Sequence, residues 1–302
     1  MRLRKGYRFG ALFALVALVS ASPASADFKD LPPRSDWTVD YADESCALQR
    51  DFGAGDEVVH LEFRQFAPDT PMQVLVASPT LGVRRVAFIP RIHFSSDAQP
   101  HVPQGYLRVS YPGGVRGVMF IDTLRAGDDR MRYHVEQSLW PAEDRAGRER
   151  AITWIAVEDT FRDDVRLATG NLHAPMEALR TCLDELLTHW GIDAVAHRSL
   201  LRPVRPLAME AWSQDVREVY PREKLGARQN ARLRIRLEVS ADGRAVNCHM
   251  QHMLGEEGFE QTACNVLIAN ARFEPALDAD GRLCCVIEVG GFPERIECVN
   301  GW

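Results

Sequence analysis

Between residues 231 and 239 the chain alternates without a break: Leu233, Ile235, Leu237 and Val239 are apolar, and Arg232, Arg234, Arg236 and Glu238 between them are charged. A period of two puts every apolar side chain on one face of an extended strand, whereas a helix would scatter them around its circumference. The segment is therefore read as a half-buried strand. Asp242-Gly243 follows and suits the positive dihedrals of a tight hairpin turn. In the return strand, residues 244–251, Val246, Cys248 and Met250 share a face by the same alternation. Gly255 and Gly258 then interrupt the pattern, and from Phe259 the apolar residues Phe259, Ala263, Val266 and Leu267 fall on one helical face that can cover the sheet. Pro275 cannot continue that helix, and a turn at Asp280-Gly281 leads into a third strand made of Leu283, Cys284, Cys285, Val286, Ile287, Glu288 and Val289. Hairpin, helix and strand make a two-layer unit.

Upstream, residues 37–157 consist of short extended runs split by Gly, Pro and Asp clusters, which reads as a twisted sheet or small barrel. One helix is expected at residues 173–190, with Met176, Leu179, Leu183, Leu186 and Leu187 at helical spacing and Gly191 as a left-handed cap. The fold class is thus α+β: a mainly-β N-terminal domain closed by a helix (residues 27–195), a linker (196–210) with Pro203 and Pro206, and the two-layer C-terminal domain (211–302). Fully extended, the proline-bearing stretch 198–206 reaches only about 30 Å.

The first residues have the order of a secretory signal. Arg2, Arg4, Lys5 and Arg8 precede an apolar run, and Ala24-Ser25-Ala26 supplies small residues for cleavage after Ala26. The run is shorter than a membrane-spanning helix needs and holds no titratable residue, so the expected location is the periplasm rather than an uncleaved anchor. A net charge of -6 gives no reason to expect nucleic acid as a partner. An exported chain meets an oxidising compartment, so its 7 Cys are candidates for pairing. Cys46 with Cys182 would tie the helix to the first strands. Cys248 with Cys264 would tie the second helix to its hairpin. Cys284 and Cys285 point to opposite faces of a strand, so only one can meet Cys298, Cys285 being the better placed if the tail forms a hairpin. The odd cysteine is left free or pairs two copies in a dimer.

Tyr220-Pro221, the strand ending Val239-Ser240-Ala241-Asp242-Gly243-Arg244, Phe259-Glu260, the run from Ala271 through Arg272, Phe273, Glu274 and Pro275 to Ala276, and Asp280-Gly281 together resemble the C-terminal domain of TonB-type energy transducers. The resemblance covers residues 211–289 and nothing upstream. It implies a periplasmic domain that binds a short peptide of an outer-membrane receptor by adding it as a strand to an exposed sheet edge, here residues 283–289. The competing reading of that edge is that the chain's own tail, residues 293–298, occupies it. Such transducers also hold a retained membrane helix with a buried polar residue and a long proline-rich spacer; this chain departs from them in both and places a domain of about 165 residues before the C-terminal one, which argues for a soluble binding module that borrowed the fold.

Catalytic chemistry finds little footing. The sequence has no nucleophile elbow, no His-Glu-x-x-His helix and no phosphate-cradling glycine loop, so neither an enzyme nor a cofactor is expected. Cys248, His249, His252 and Cys264 could form a zinc cluster, but the disulfide competes and His249 points off the Cys248 face. The acidic doublets Asp43-Glu44, Asp128-Asp129 and Asp163-Asp164 read as solvated. The alternative function is an envelope enzyme or metal-handling protein whose site lies in the N-terminal domain.

Overall fold

The structure is a computed structural model and describes residues 28–68, 70, 72–84, 89–95, 100–101, 106–121, 142–219, 231–255, 258, 260–284 and 286–291. The signal segment, Tyr220-Pro221, Asp128-Asp129, Phe259, Cys285 and Cys298 lie outside them.

Alternation in the first half builds two sheets. β2 (Thr38–Ala42), β3 (Ser45–Phe52), β4 (Val59–Gln65) and β5 (Gln73–Ser78) form an antiparallel meander, and β8 (Arg116–Ile121) and β7 (Tyr106–Ser110) extend it to a six-stranded sheet. The second sheet has the order β1-β10-β9-β6, with β1 (Lys29–Leu31) parallel to β10 (Val165–Leu167), followed by β9 (Ile155–Glu158) and β6 (Arg91–Phe94). Leu48, Phe63, Val74 and Phe120 from the first sheet and Phe94, Ile155, Val157 and Leu167 from the second share one core. Helix α2 (His173–His189) closes it with Met176, Leu179, Leu183 and Leu186. Gly191 ends the helix in the left-handed conformation at φ 80. Two helices in this half were not anticipated: α1 (Ala142–Ala151), too polar to show an apolar stripe, and the one-turn α3 (Ala194–Arg198), whose N-cap Asp193 accepts from the amides of Val195 and Ala196.

A second core gathers around the alternating strand. β12 (Ala231–Val239) pairs with β13 (Ala245–Gly255) on one side and β17 (Val286–Gly291) on the other, all antiparallel. Leu233, Ile235, Leu237 and Val239 are buried under α5 (Glu260–Asn270), which contributes Ala263 and Leu267. α4 (Met209–Glu218) packs beside α5 through Trp212 and Val216. The expected linker is part of this unit: β11 (Arg205–Leu207) pairs with β14 (Arg272–Glu274), Arg202 bridges Leu277, and Val204 enters the core. Its prolines sit where pairing tolerates them, Pro206 standing opposite Phe273 in a two-stranded ribbon.

Three readings need correction. Val246 is exposed rather than on the face of Cys248 and Met250, because Val239 pairs with Ala245 and Glu238 with Asn247, leaving Val246 as the extra residue of a β-bulge. The strand expected at residues 283–289 is two strands with different partners: β16 (Leu283–Cys284) pairs with β15 (Ala276–Leu277), and only Val286 onward pairs with β12. The charged face of β12 is not free, since Arg234 and Arg236 are 5% and 4% exposed.

Both cysteine pairs inferred for the two cores are disulfides. Cys46 of β3 joins Cys182 of α2 with Cα atoms 6.1 Å apart, and Cys248 of β13 joins Cys264 of α5 at 5.6 Å. Among the described residues no helix is long and apolar enough to cross a membrane.

Candidate functional site: the β17 edge of the C-terminal sheet

β17 runs in uninterrupted register along β12: Val286 opposite Val239, Ile287 opposite Glu238, Glu288 opposite Leu237, Val289 opposite Arg236, Gly290 opposite Ile235 and Gly291 opposite Arg234. It is the last strand of its sheet, and among the described residues nothing pairs with its outer side. An antiparallel strand paired on one side alone directs alternate N–H and C=O groups outward, a template for one more strand. Of the residues proposed for the edge, Val286, Ile287, Glu288 and Val289 lie on it; Leu283 and Cys284 belong to the separate ribbon with β15.

The opposite edge, β13, is less suited to the same use. It carries two irregularities against β12, at Val246 and again at Gln251, where Arg234 pairs with His252 and Ile235 with Met250. Bulges bend a strand and break the even spacing of its outward groups, a common device for blunting an edge. β13 is also tied to α5 by its disulfide.

The sheet's charged face is held by the N-terminal domain. The Arg236 guanidinium donates from Nη2 and Nε to the two carboxylate oxygens of Glu44, at 3.0 and 3.2 Å, and lies 4.2 Å from the centre of the Trp190 ring. Arginine suits this position because its planar fork matches a carboxylate while its weakly hydrated face stacks on an aromatic. Arg234 lies in the same way over Phe66, at 4.5 Å. The bulge at Gln251 turns its side chain toward the same surface, where Nε2 donates to the carbonyls of Glu44 and Phe66 at 3.2 and 3.0 Å. Trp190 is positioned in turn by its indole N–H, which donates to the Asp43 carbonyl at 3.1 Å. The Asp43-Glu44 doublet is therefore an interface element. The clue in the sequence is the run of three arginines on one strand face, more cation than a solvated face needs.

Two polar clusters in the N-terminal domain bear on the alternative. Glu149, His173 and Glu177 place one ligand atom each within 4.8 Å of one another, a geometry that could hold a metal ion. The Arg180 guanidinium already fills it, donating to both oxygens of Glu149 at 2.6 and 2.9 Å and to Glu177. The second cluster centres on Glu158, which is buried on β9 and paired with Arg91 at 2.7 Å. Burial pushes its carboxyl above the ordinary glutamate range, and Arg91 offsets part of that rise. Arg91 also reaches Asp159, and Arg84 reaches Asp164, so Asp164 is an ion-pair member rather than a free carboxylate. His249 donates or accepts at Glu238, 2.8 Å away, on the face turned from Cys248.

Comparison of the chain with protein-family models, with curated proteins and with solved structures finds no match.

Proposed function

We propose that this chain is an exported periplasmic binding module, similar to the C-terminal domain of TonB, that serves as an adaptor in outer-membrane transport. It takes up an extended peptide of a receptor or another envelope protein along the outer side of β17, and it acts by binding rather than by catalysis, without a cofactor. The observation that carries this reading is the contrast between the two edges of the sheet: six residues of unbroken ladder on β17, twice-bulged pairing on β13. Backbone pairing demands little of the peptide's sequence, so affinity would come from the ladder and selectivity from side chains flanking it.

The test is a titration of the purified, oxidised chain with peptides from outer-membrane receptor plugs, followed by amide exchange and backbone NMR. The reading expects saturable shifts centred on residues 286–291, with slowed exchange at alternate positions, those whose N–H groups face away from β12. No saturable shift with any peptide, and an edge already protected in the free chain by residues 293–298, would sink it. The metal-handling alternative has its best footing at Glu149, His173 and Glu177, where the arginine supplies the positive charge a metal would bring.

A further inference from the structure

The seat that grips Arg236 is assembled from two pieces of the N-terminal domain that are distant in sequence. One is the turn between β2 and β3, which carries Asp43 and Glu44; the other is the end of α2, which carries Trp190. The Cys46–Cys182 disulfide joins these two pieces. Cys46 follows Glu44 by two residues, and Cys182 lies on the helix that ends at Trp190. Both sulfurs are sealed from solvent, with Cys46 at 0% and Cys182 at 1% exposure.

What the seat offers is sensitive to small displacements. A bidentate pair needs both nitrogen–oxygen distances at once, and stacking of a cation on a ring falls off when the guanidinium leaves the ring face. The contacts identified across the interface are polar or cation–ring in kind: Arg236 with Glu44 and Trp190, Arg234 with Phe66, and Gln251 with two carbonyls. Interfaces of that character between domains do not hold by apolar burial, so relative movement is their ordinary behaviour.

We propose that closing the Cys46–Cys182 disulfide is the step that docks the C-terminal domain. Before oxidation only the Trp190–Asp43 hydrogen bond and the packing of α2 on β3 connect the turn to the helix end, and Arg236 lacks a seat of fixed geometry. Oxidation removes two protons and two electrons from the two thiols, and the electrons pass by thiol–disulfide exchange to an oxidant of the disulfide class, which leaves as a dithiol. The bond then holds Glu44 and Trp190 at the spacing the guanidinium requires. Docking follows export into an oxidising compartment instead of preceding it. The inference shares with the proposed function only the export of the chain and does not depend on strand addition, because it concerns the charged face of β12 and not the outer edge of β17.

The experiment compares the full oxidised chain with the Cys46→Ala/Cys182→Ala variant by NMR. The reporter is the Nε–Hε signal of Arg236, displaced upfield by the Trp190 ring; rotational correlation times of the two domains are the second readout. The expected result is that the variant keeps the amide pattern of β3 to β5, loses the ring displacement at Arg236, and shows two correlation times in place of one. A retained Arg236 signal with a single correlation time would overturn the proposal. Should the alanine pair lose the fold of the first domain, Cys46→Val/Cys182→Ala refills the buried volume without the bond. If that variant also fails to fold, the bond serves the fold and not the seat, and the proposal is likewise overturned.

Discussion

Glu44 and Arg236 stand 192 residues apart in the chain and meet as a two-point ion pair at 3.0 and 3.2 Å. The arginine side chain is 5% exposed and the glutamate 28%, so the pair is buried from one side only. Removing the cation leaves a half-desolvated carboxylate and bares the Trp190 ring. Arg236→Ala is expected to cost about 2 kcal/mol, below the range for a fully buried pair because water can still reach Glu44. Combined with Glu44→Ala, the loss should fall short of the sum of the single losses by roughly 1 kcal/mol, the signature of direct coupling. Urea unfolding of the four chains measures both quantities; strict additivity would show that the two side chains do not support each other.

That pair also marks where sequence reasoning stopped. Strand β12 was legible because Leu233, Ile235, Leu237 and Val239 alternate with charges, and the same alternation left its arginines facing solvent by default. The three arginines of β12 hint that its polar face is covered, but the surface that covers it comes from residues 43–66 and 190, which no local pattern in β12 identifies. The bulges at Val246 and Gln251 were hidden for a related reason: a bulge exists only relative to a partner's register, and the return strand alone reads as regular. Helix α4 did carry a signal, Met209, Trp212, Ser213 and Val216 at helical spacing, obscured by the prolines before it. The disulfides were legible because each joins elements that had to pack together anyway.

Gly243 tests the hairpin. Its φ is +77, and a Cβ there would stand 2.2 Å from the carbonyl oxygen of Phe273, a backbone atom that cannot swing aside. Phe273 also donates its amide to the Gly243 carbonyl at 2.9 Å, so the turn and β14 are held against each other. Gly243→Ala should destabilise the C-terminal core by at least ~2 kcal/mol, from the positive dihedral and the clash together. Calorimetry of the variant reads this; an unchanged transition would mean that the turn adopts another conformation.

The short-range disulfide should act on one core alone. Cys248 and Cys264 are 16 residues apart, and the chain-entropy model assigns such a loop on the order of 3 kcal/mol. Replacing both by serine is expected to lower the unfolding transition of the C-terminal core while the amide exchange of β3, β4 and β5 stays as it was. A shared loss of protection in both cores would show that they unfold as one unit.

Glu158 should impose a pH dependence of known sign. Burial raises its folded carboxyl above the unfolded value, with Arg91 acting against the rise and Asp164 adding to it. A raised carboxyl favours the folded state while protonated, so its contribution is fully present below the unfolded value and is lost as pH climbs through the higher folded one. Glu158→Gln keeps the shape and removes the titration. Its stability relative to the parent chain should therefore improve as pH rises above the ordinary glutamate value of about 4.3, and level off once the folded carboxyl has ionised. Urea midpoints of both proteins through that rise decide the point, and a difference that shrinks with rising pH would mean the Arg91 pair outweighs burial.

Arg180 sits where a metal ion would. Glu149 is 6% exposed and accepts from Arg180 with both oxygens, while His173 Nδ1 lies 2.9 Å from one of them. Arg180→Ala removes the guanidinium from a carboxylate that water hardly reaches, which should cost roughly 3 kcal/mol. The vacated space is then bounded by two carboxylates and an imidazole whose ligand atoms lie within 4.8 Å of one another, a donor set that suits zinc. The variant should recover part of its lost stability when zinc is added, since a ligand that binds only the folded state stabilises it by mass action. The parent chain should show no such response, because an ion would have to displace a cation already bonded to both glutamates. Thermal unfolding with and without zinc, on parent and variant, distinguishes the cases: a zinc response in the parent would mean that the trio is a metal site in its own right and that Arg180 yields to the ion.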